Sequence, residues 1–114
     1  MPTTKSVYQS STDADSYEPF MVDDLQIGEV HWLRETAGGD GVLLTGLWRA
    51  EPGSFPYTFT ADETFLLLEG SVSIDLDSGE SVDLKVGDLV SFASGTQATW
   101  HVHTASKKFF VVSG

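Results

Sequence analysis

The chain has 114 residues, enough for one domain with a single core, and its hydrophobic content of 40% argues against global disorder. Its 17 acidic and 6 basic residues give a formal net charge of -11, which disfavours nucleic acids and anionic membranes as partners. Cysteine is absent, which excludes disulfides, thiolate metal sites and a thiol nucleophile.

Residues 1–24 are predicted to form an acidic N-terminal arm. The first part of the arm is rich in Ser, Thr and Asp and poor in large apolar groups, as in loosely ordered segments, and "PFMV" at 19–22 is a candidate anchor. The arm lacks the apolar core of a signal peptide, and no stretch approaches the roughly 18 apolar residues of a membrane span. We therefore expect a soluble, cytoplasmic protein.

Residues 25–114 are predicted to form one β-barrel domain. Short apolar runs alternate with Gly, Pro, Asp and Ser, which is typical of antiparallel β structure, and no helical period is visible. The nine candidate strands are "EVHWLRE", "VLLTGLWRAE", "YTFT", "TFLLLEG", "SVSIDLD", "SVDLK", "DLVSFAS", "TWHVHT" and "KFFVVS". The runs "FLLL" and "FFVV" are apolar on both faces, so a second sheet or a partner subunit should cover them. The fold class is all-β, closed into a sandwich or barrel, and a homodimer is expected.

A hairpin is predicted at Ser78-Gly79, because glycine adopts a positive φ without steric cost. This turn would place Val72 and Ile74 on the same apolar face as Val82 and Leu84.

Glu63 and its neighbour Asp62 stand at the start of the longest apolar run, in "TADETFLLLEG". Either Glu63 points into the barrel as a ligand, an acid or a hydrogen-bond acceptor, or it is a strand-end carboxylate in water. Burying a carboxylate is costly, so an inward Glu63 would need a partner such as Lys108 or a ligand amine. Asp62 is interpreted as a solvated residue at the start of the strand.

The segment "WHVH" places His101 and His103 on one face of a strand and Trp100 and Val102 on the other. Two imidazoles on one face can converge on a metal. The alternative is that Trp100 and Val102 fill the core while both histidines face solvent, and the greater tendency of tryptophan to be buried favours this alternative. His31 is given no role, and no serine lies in a nucleophile-elbow pattern.

Aromatic and polar side chains on the predicted strands are candidates for a ligand pocket, although core packing explains most of the aromatic ones more simply. The proposed ligand-binding residues are Trp48, Tyr57, Phe59, Glu63, Trp100 and Lys108, and Glu63 is also the candidate catalytic residue.

Over residues 42–113 the order of these features resembles a small single-domain cupin of the RmlC-like jelly-roll superfamily, DUF861 type. It is similar to the C-terminal module of (S)-ureidoglycine aminohydrolase. The corresponding features are Trp48 with Pro52-Gly53, Glu63 with Leu68-Glu69-Gly70, Gly87-Asp88, Gly95, Trp100 and Lys108. The resemblance implies a double-stranded β-helix, a homodimer that often exchanges N-terminal strands, and a metal site of three histidines and one glutamate.

This sequence departs from the metal pattern that the resemblance implies. Glu63 fits the glutamate of the first motif, but Tyr57 and Phe59 stand where the two histidines are expected. Ala98 replaces the histidine of the second motif, next to Gln97, and His101 has the wrong strand parity to substitute for it. We therefore predict no metal site and no cofactor, which argues against an enzyme.

Three functions follow as hypotheses. The first is a cupin that binds a small polar or nitrogenous metabolite in its barrel without a conventional metal. The second, implied by the resemblance, is a metal-dependent hydrolase or isomerase similar to ureidoglycine aminohydrolase. The third is a structural module for dimerisation, in which "IGEVHWLRE" would cross to the partner.

Overall fold

The computed structural model describes residues 6–38 and 41–114, so the first five residues of the predicted arm lie outside the described residues. Within these residues, all of the regular elements are strands. They are β1 (Glu18–Val22), β2 (Leu25–Gly38), β3 (Gly41–Ala50), β4 (Gly53–Thr58), β5 (Asp62–Leu76), β6 (Ser81–Lys85), β7 (Leu89–Phe92) and β8 (Gln97–Ser113). Within the described part of the chain no helix is long and apolar enough to cross a membrane. The all-β prediction is confirmed.

The long strands β5 and β8 pair with each other in antiparallel fashion and pass through both layers of the fold. One end of β8 pairs with β4 and the other with β3, while one end of β5 pairs with β6 and the other with β7. One layer therefore runs β1-β2-β3-β8-β5-β7, and the other runs β4-β8-β5-β6. This arrangement is a jelly-roll barrel, as expected.

The inward positions of β5 change parity in the middle of the strand. Glu63, Phe65 and Leu67 are buried in the first half, whereas Val72 and Ile74 are buried in the second. The pairing register with β8 shifts between Leu67 and Val72, and these bulges move the apolar face from odd to even positions.

The hairpin predicted at Ser78-Gly79 is confirmed. Gly79 has a φ of 101°, and the backbone N–H of Leu76 donates to the carbonyl of Glu80 at 2.8 Å. Val72 lies opposite Leu84 in the resulting pair of strands, and Ile74 lies opposite Val82.

Gly70 allows β5 to bend, and replacing it by alanine is expected to destabilise the protein by about 2–3 kcal/mol. Its φ is +89°, and a Cβ there would lie 2.5 Å from the carbonyl oxygen of Ala105 and 2.7 Å from the Cα of Ser106. Gly79→Ala is the matched control, because Gly79 also has a positive φ but has no atom within 4 Å of the added Cβ. Urea denaturation should show a larger loss for Gly70→Ala, and equal losses would contradict a steric role for Gly70.

The nine predicted strands become eight in different groupings. "TFLLLEG" and "SVSIDLD" are continuous in β5, and "TWHVHT" and "KFFVVS" are continuous in β8, because bulges bend these strands without ending them. β4 begins at Gly53, before the predicted "YTFT". β1 contains the candidate anchor "PFMV" and pairs with β2.

The described part of the arm before β1, residues 6–17, lies against the outside of the sheet. The ammonium of Lys107 donates to the carbonyl of Thr12 at 2.6 Å, and the guanidinium of Arg49 lies 3.7 Å from the ring centroid of Tyr17. His31, which received no role from the sequence, contacts the hydroxyl of Ser10 at 2.7 Å. β2, the strand expected to cross to a partner, pairs here with β1 and β3 of its own chain, and the homodimer stays a prediction.

Candidate functional site

A cavity of about 180 Å³ lies inside the barrel, between the two layers. Its wall is largely aromatic and aliphatic, and besides its tryptophans the side chains in it that can hydrogen-bond or ionise are those of Tyr57, Thr60, Glu63 and Lys108. Thr60 is exposed, so the cavity reaches the surface at this point. The apolar lining residues are Phe20, Ile27, Val30, Trp32, Leu44, Trp48, Phe55, Trp100, Phe110 and Val112.

Glu63 and Lys108 form a buried ion pair in this wall. The ammonium of Lys108 donates to Oε2 of Glu63 at 2.5 Å. The side chain of Lys108 is 7% exposed and that of Glu63 is 5% exposed. Lys108 lies opposite Leu67 in the β5–β8 register, so its side chain extends along the interior, past Phe65, to reach Glu63. Of the two alternatives for Glu63, the structure shows the buried one.

Aromatic rings surround the ammonium of Lys108. Its Nζ lies 4.3 Å from the ring centroid of Phe65, 4.6 Å from that of Trp100 and 5.1 Å from that of Trp48. Each ring face is attractive to a cation, by about 0.5–2 kcal/mol. These contacts partly replace the water that the ammonium loses on burial.

The titration of Lys108 is displaced by its surroundings. Burial lowers the pKa of the ammonium below its ordinary value, and the attraction and hydrogen bond of Glu63 oppose this shift without cancelling it. Lys108 therefore loses its proton to give the neutral amine more readily than a lysine in water does.

Tyr57 is the second group in contact with the Glu63 carboxylate, to which its hydroxyl donates a hydrogen bond. Burial, followed by the negative charge and the hydrogen bond of Glu63, raises the pKa of the phenol above its ordinary value. Tyr57 is thus a neutral donor that holds Glu63 in place.

The wall includes three tryptophans, and the indole N–H groups of two of them, Trp48 and Trp100, differ in their partners. Trp48 Nε1 donates to the carbonyl of Ile27 at 2.7 Å. Trp100 is 2% exposed, and its Nε1 finds no acceptor among the described residues. A buried donor without a partner costs free energy, about 1–3 kcal/mol, and is rare in folded proteins.

The predicted ligand-binding residues fall into two groups. Five of them line the cavity, namely Trp48, Tyr57, Glu63, Trp100 and Lys108. Phe59 does not line it and is packed in the core, with its ring stacked on Phe92 at 4.4 Å between centroids. The prediction that these residues bind a ligand stays a prediction.

Two residues of the cavity wall, Phe55 and Phe20, were not predicted from the sequence. The Phe55 ring stacks on Trp100 at 5.8 Å, and Phe20 extends from β1 into the lining. Phe55 could have been found from its position two residues before Tyr57, which places both on the same face of β4. Phe20 gave no such signal, because it lies in the stretch interpreted as the arm.

The groups at the expected metal positions do not fit a divalent cation. Phe59 and Ala98 are buried and offer no lone pair, while the Tyr57 hydroxyl is raised in pKa and donates to Glu63. The carboxylate of Glu63 already faces the positive charge of Lys108. Among the residues that the structure describes, no cluster of three or more His, Asp or Glu side chains is placed to hold a metal.

The histidine pair lies on the outer face of the sheet, away from the cavity. Trp100 and Val102 are buried while His103 is exposed and His101 half-buried, which confirms the favoured alternative. Nδ1 of His101 contacts the Ser54 hydroxyl at 2.8 Å, and Nε2 contacts Asp75 at 2.9 Å.

The hydrogen-bonded series Ser54, His101 and Asp75 joins β4, β8 and β5, and no sequence motif predicted it. A hydrogen bond from Ser81, followed by one from His101, lowers the pKa of Asp75. Asp62, at the start of β5, is exposed and accepts a hydrogen bond from the backbone N–H of Ser94 at 2.8 Å, as expected for a solvated residue.

Three solved structures illustrate what this chain is similar to. A DUF861 family protein of Thermotoga maritima is 29% identical, with a TM-score of 0.57, over 58% of this chain and 75% of that one. A putative ethanolamine utilization protein Q of Salmonella typhimurium is 18% identical, with a TM-score of 0.58, over 90% of this chain and 97% of that one. A DUF861 family protein of unknown function from Pseudomonas syringae is 24% identical, with a TM-score of 0.71, over 86% of this chain and 44% of that one.

The last two likenesses, below 25% identity, support the fold alone. A comparison with curated protein sequences gives no match. The closer resemblance to (S)-ureidoglycine aminohydrolase stays a prediction. The sequence pattern of the EutQ-like cupin domain matches residues 37–110, which is more than half of the chain. The protein therefore belongs to the EutQ-like cupin family.

Proposed function

We propose that the protein binds a small polar metabolite inside its barrel, without a conventional metal site, through a carbonyl or carboxylate group of that metabolite. Neutral nitrogenous compounds with a carbonyl, such as amides and ureides, are included. The observation that carries the proposal is the buried N–H of Trp100, which has no acceptor in the described structure although the Trp100 side chain lines the cavity. A ligand oxygen would supply the missing partner.

The charges in the wall decide which ligands are favoured. The Glu63 carboxylate already has Lys108 and Tyr57 as donors, so a ligand amine would have to compete with an internal ammonium. An oxygen acceptor placed between the Trp100 N–H and the Lys108 ammonium would instead have two donors. The aromatic remainder of the wall suits a short apolar group attached to that acceptor.

The proposal is tested with ligands of similar size that differ mainly in the polar group. Propanoate, propanamide and methylurea are expected to raise the melting temperature and to give saturable heats in calorimetry, whereas propylamine should do neither. If propylamine bound and the three carbonyl compounds did not, the proposed preference for an oxygen acceptor would be wrong. Absence of any response to all four compounds would count against binding in this cavity.

Two tryptophan variants isolate the hydrogen bond. Trp100→Phe removes the unpartnered N–H and should weaken propanamide binding about fivefold, the equivalent of about 1 kcal/mol, without destabilising the free protein through a lost hydrogen bond. Trp48→Phe is the matched control, because it removes an N–H that is already bonded to Ile27. The control should lose stability and keep its preference for acceptors. If both variants bind equally well, Trp100 does not contact the ligand.

Glu63→Gln tests whether the Lys108 ammonium faces the ligand. It leaves the size of the site unchanged and frees the Lys108 ammonium from its internal carboxylate, so propanoate binding should strengthen relative to propanamide binding. An unchanged ratio of the two affinities would mean that Lys108 does not face the ligand.

A further inference from the structure

Lys108 presents a primary amine in the wall of an apolar cavity, hydrogen-bonded to a carboxylate. A lysine amine attacks carbonyl carbons only after it has lost its proton, and proteins promote this loss by removing the lysine from water. Lys108 is 6% exposed, and three aromatic rings lie within about 5 Å of its Nζ. The site therefore combines a desolvated amine with space for a small molecule beside it.

We propose that Lys108 forms a reversible imine with a small aldehyde or keto acid that enters the cavity, and that Glu63 is the base that frees the amine. The inference rests on the proposed function, because the carbonyl compound would occupy the same cavity and place its oxygen near the same donors. It adds a covalent step to the binding of an acceptor.

Proton transfer between the two groups is favoured by their burial. The Nζ of Lys108 and the Oε2 of Glu63 are 2.5 Å apart, so the proton moves within an existing hydrogen bond. The transfer converts two buried charges into two neutral groups, and this removes part of the desolvation cost of the pair. Burial also lowers the pKa of the Lys108 ammonium, which favours loss of the same proton. The hydrogen bond from Tyr57 keeps the carboxylate beside the amine.

The atoms of the step balance without any further reagent. Glu63 takes one proton from the Lys108 ammonium, and the freed nitrogen lone pair forms a bond to the carbonyl carbon. The carbonyl oxygen, which can accept the Trp100 N–H, gains a proton to give a carbinolamine, and the nitrogen loses a second proton. The C–O bond then breaks, with protonation of the oxygen from Glu63, and one water leaves as the C=N bond forms. Because water is a product, an apolar cavity favours the imine.

Lys107, the residue before Lys108, provides a control within the same chain. Lys107 also pairs with a carboxylate, Glu69, at 3.0 Å, but this pair lies on the outside of the sheet and Glu69 is 63% exposed. Lys85 is 85% exposed. If exposure alone determined reactivity, Lys85 would react first and Lys108 last.

The experiment uses the full-length protein with propanal or pyruvate and sodium cyanoborohydride, which reduces an imine to a stable amine. Intact mass and peptide fragmentation then show how many adducts form and on which lysine. We expect a single saturable adduct on Lys108 that propanoate suppresses by competition, with Lys85 and Lys107 labelled at least tenfold more slowly. The variant Lys108→Arg, which keeps the positive charge but cannot form this imine, should lose the saturable adduct, whereas Lys107→Arg should keep it.

Several results would overturn the inference. Labelling confined to the other lysines and the amino terminus, or labelling of Lys108 that rises linearly with aldehyde and is insensitive to propanoate, would show that the cavity does not promote the reaction. Peptide mapping of the wild-type protein decides the matter even if Lys108→Arg fails to fold. If propanamide binds but Lys108 is not labelled, only the imine is wrong. If Lys108 is labelled saturably but propanamide and propanoate never bind, the acceptor-binding function is wrong and the imine stands.

Discussion

Glu63→Gln is expected to lower the free energy of unfolding by about 3–5 kcal/mol, the usual cost of breaking a buried ion pair from one side. The replacement has nearly the same shape, so the loss comes from leaving the Lys108 ammonium without its counter-charge in an apolar barrel. Chemical denaturation at pH 7, followed by tryptophan fluorescence, measures it. A loss below about 1 kcal/mol would place the pair in the range of solvent-exposed ion pairs.

The double variant Glu63→Leu with Lys108→Met, measured together with Glu63→Leu alone, Lys108→Met alone and the wild type, gives a thermodynamic cycle. Replacing both partners removes both buried charges, so we expect the double variant to be close to the wild type in stability or to exceed it by about 1–4 kcal/mol. The coupling free energy from the four proteins then separates the attraction within the pair from the cost of burying it. Additive losses in the two single variants would contradict a direct interaction.

The pH dependence of Glu63→Gln has a defined sign. The pKa of Lys108 is lowered by burial even with Glu63 present, so the folded state binds fewer protons than the unfolded state just below the ordinary value of 10.5. Stability therefore rises with pH in this window, and without Glu63 the rise should be steeper and begin at lower pH. Measurements kept below about pH 9.5 avoid the titration of tyrosines. A variant that becomes less stable relative to the wild type as the pH rises would contradict a buried Lys108.

Phe59→Ala is expected to cost about 3–5 kcal/mol, the usual range for removing a buried aromatic ring. Phe59 is 1% exposed, its ring stacks on Phe92 at 4.4 Å, and it contacts the ring of Tyr57 edge-on at 4.9 Å. The aromatic contacts add about 0.5–1.5 kcal/mol to the area that is buried.

Phe55→Ala is the matched control for Phe59. Phe55 is only half-buried and lines the cavity, so its truncation should cost less stability and change propanamide binding more. Thermal and urea denaturation together with calorimetry separate the two effects. A larger effect of Phe59→Ala than of Phe55→Ala on binding would return Phe59 to the cavity wall, where the sequence analysis placed it.

Part of the candidate site could be predicted from the sequence, because the alternation of side chains between the two faces of a strand is a local property. The residues Trp48, Glu63, Trp100 and Lys108 could each be placed on an apolar face from their spacing and from the resemblance to cupins. Phe59 shares that spacing with Tyr57 and yet lies outside the cavity. Which inward residue meets empty space, and which meets another ring, depends on the opposite layer.

The strand boundaries show the same distinction. The bulges between Leu67 and Val72 move the buried face of β5 from one parity to the other, so "TFLLLEG" and "SVSIDLD" looked like two strands with separate patterns. The pairing of each half of β5 and β8 with a different neighbour keeps each strand continuous.

The sequence by itself determined the all-β class, the hairpin at Ser78-Gly79, the loss of the cupin metal ligands and the burial of Trp100 and Val102. These depend on residue type and on a period of two, which act over a few neighbouring residues. Only the tertiary structure decided that Lys108 is the partner of Glu63, 45 positions away, and that the Trp100 N–H lacks an acceptor. The physical reason is that ion pairing and hydrogen-bond satisfaction depend on distances across the barrel, which the topology sets and local spacing does not.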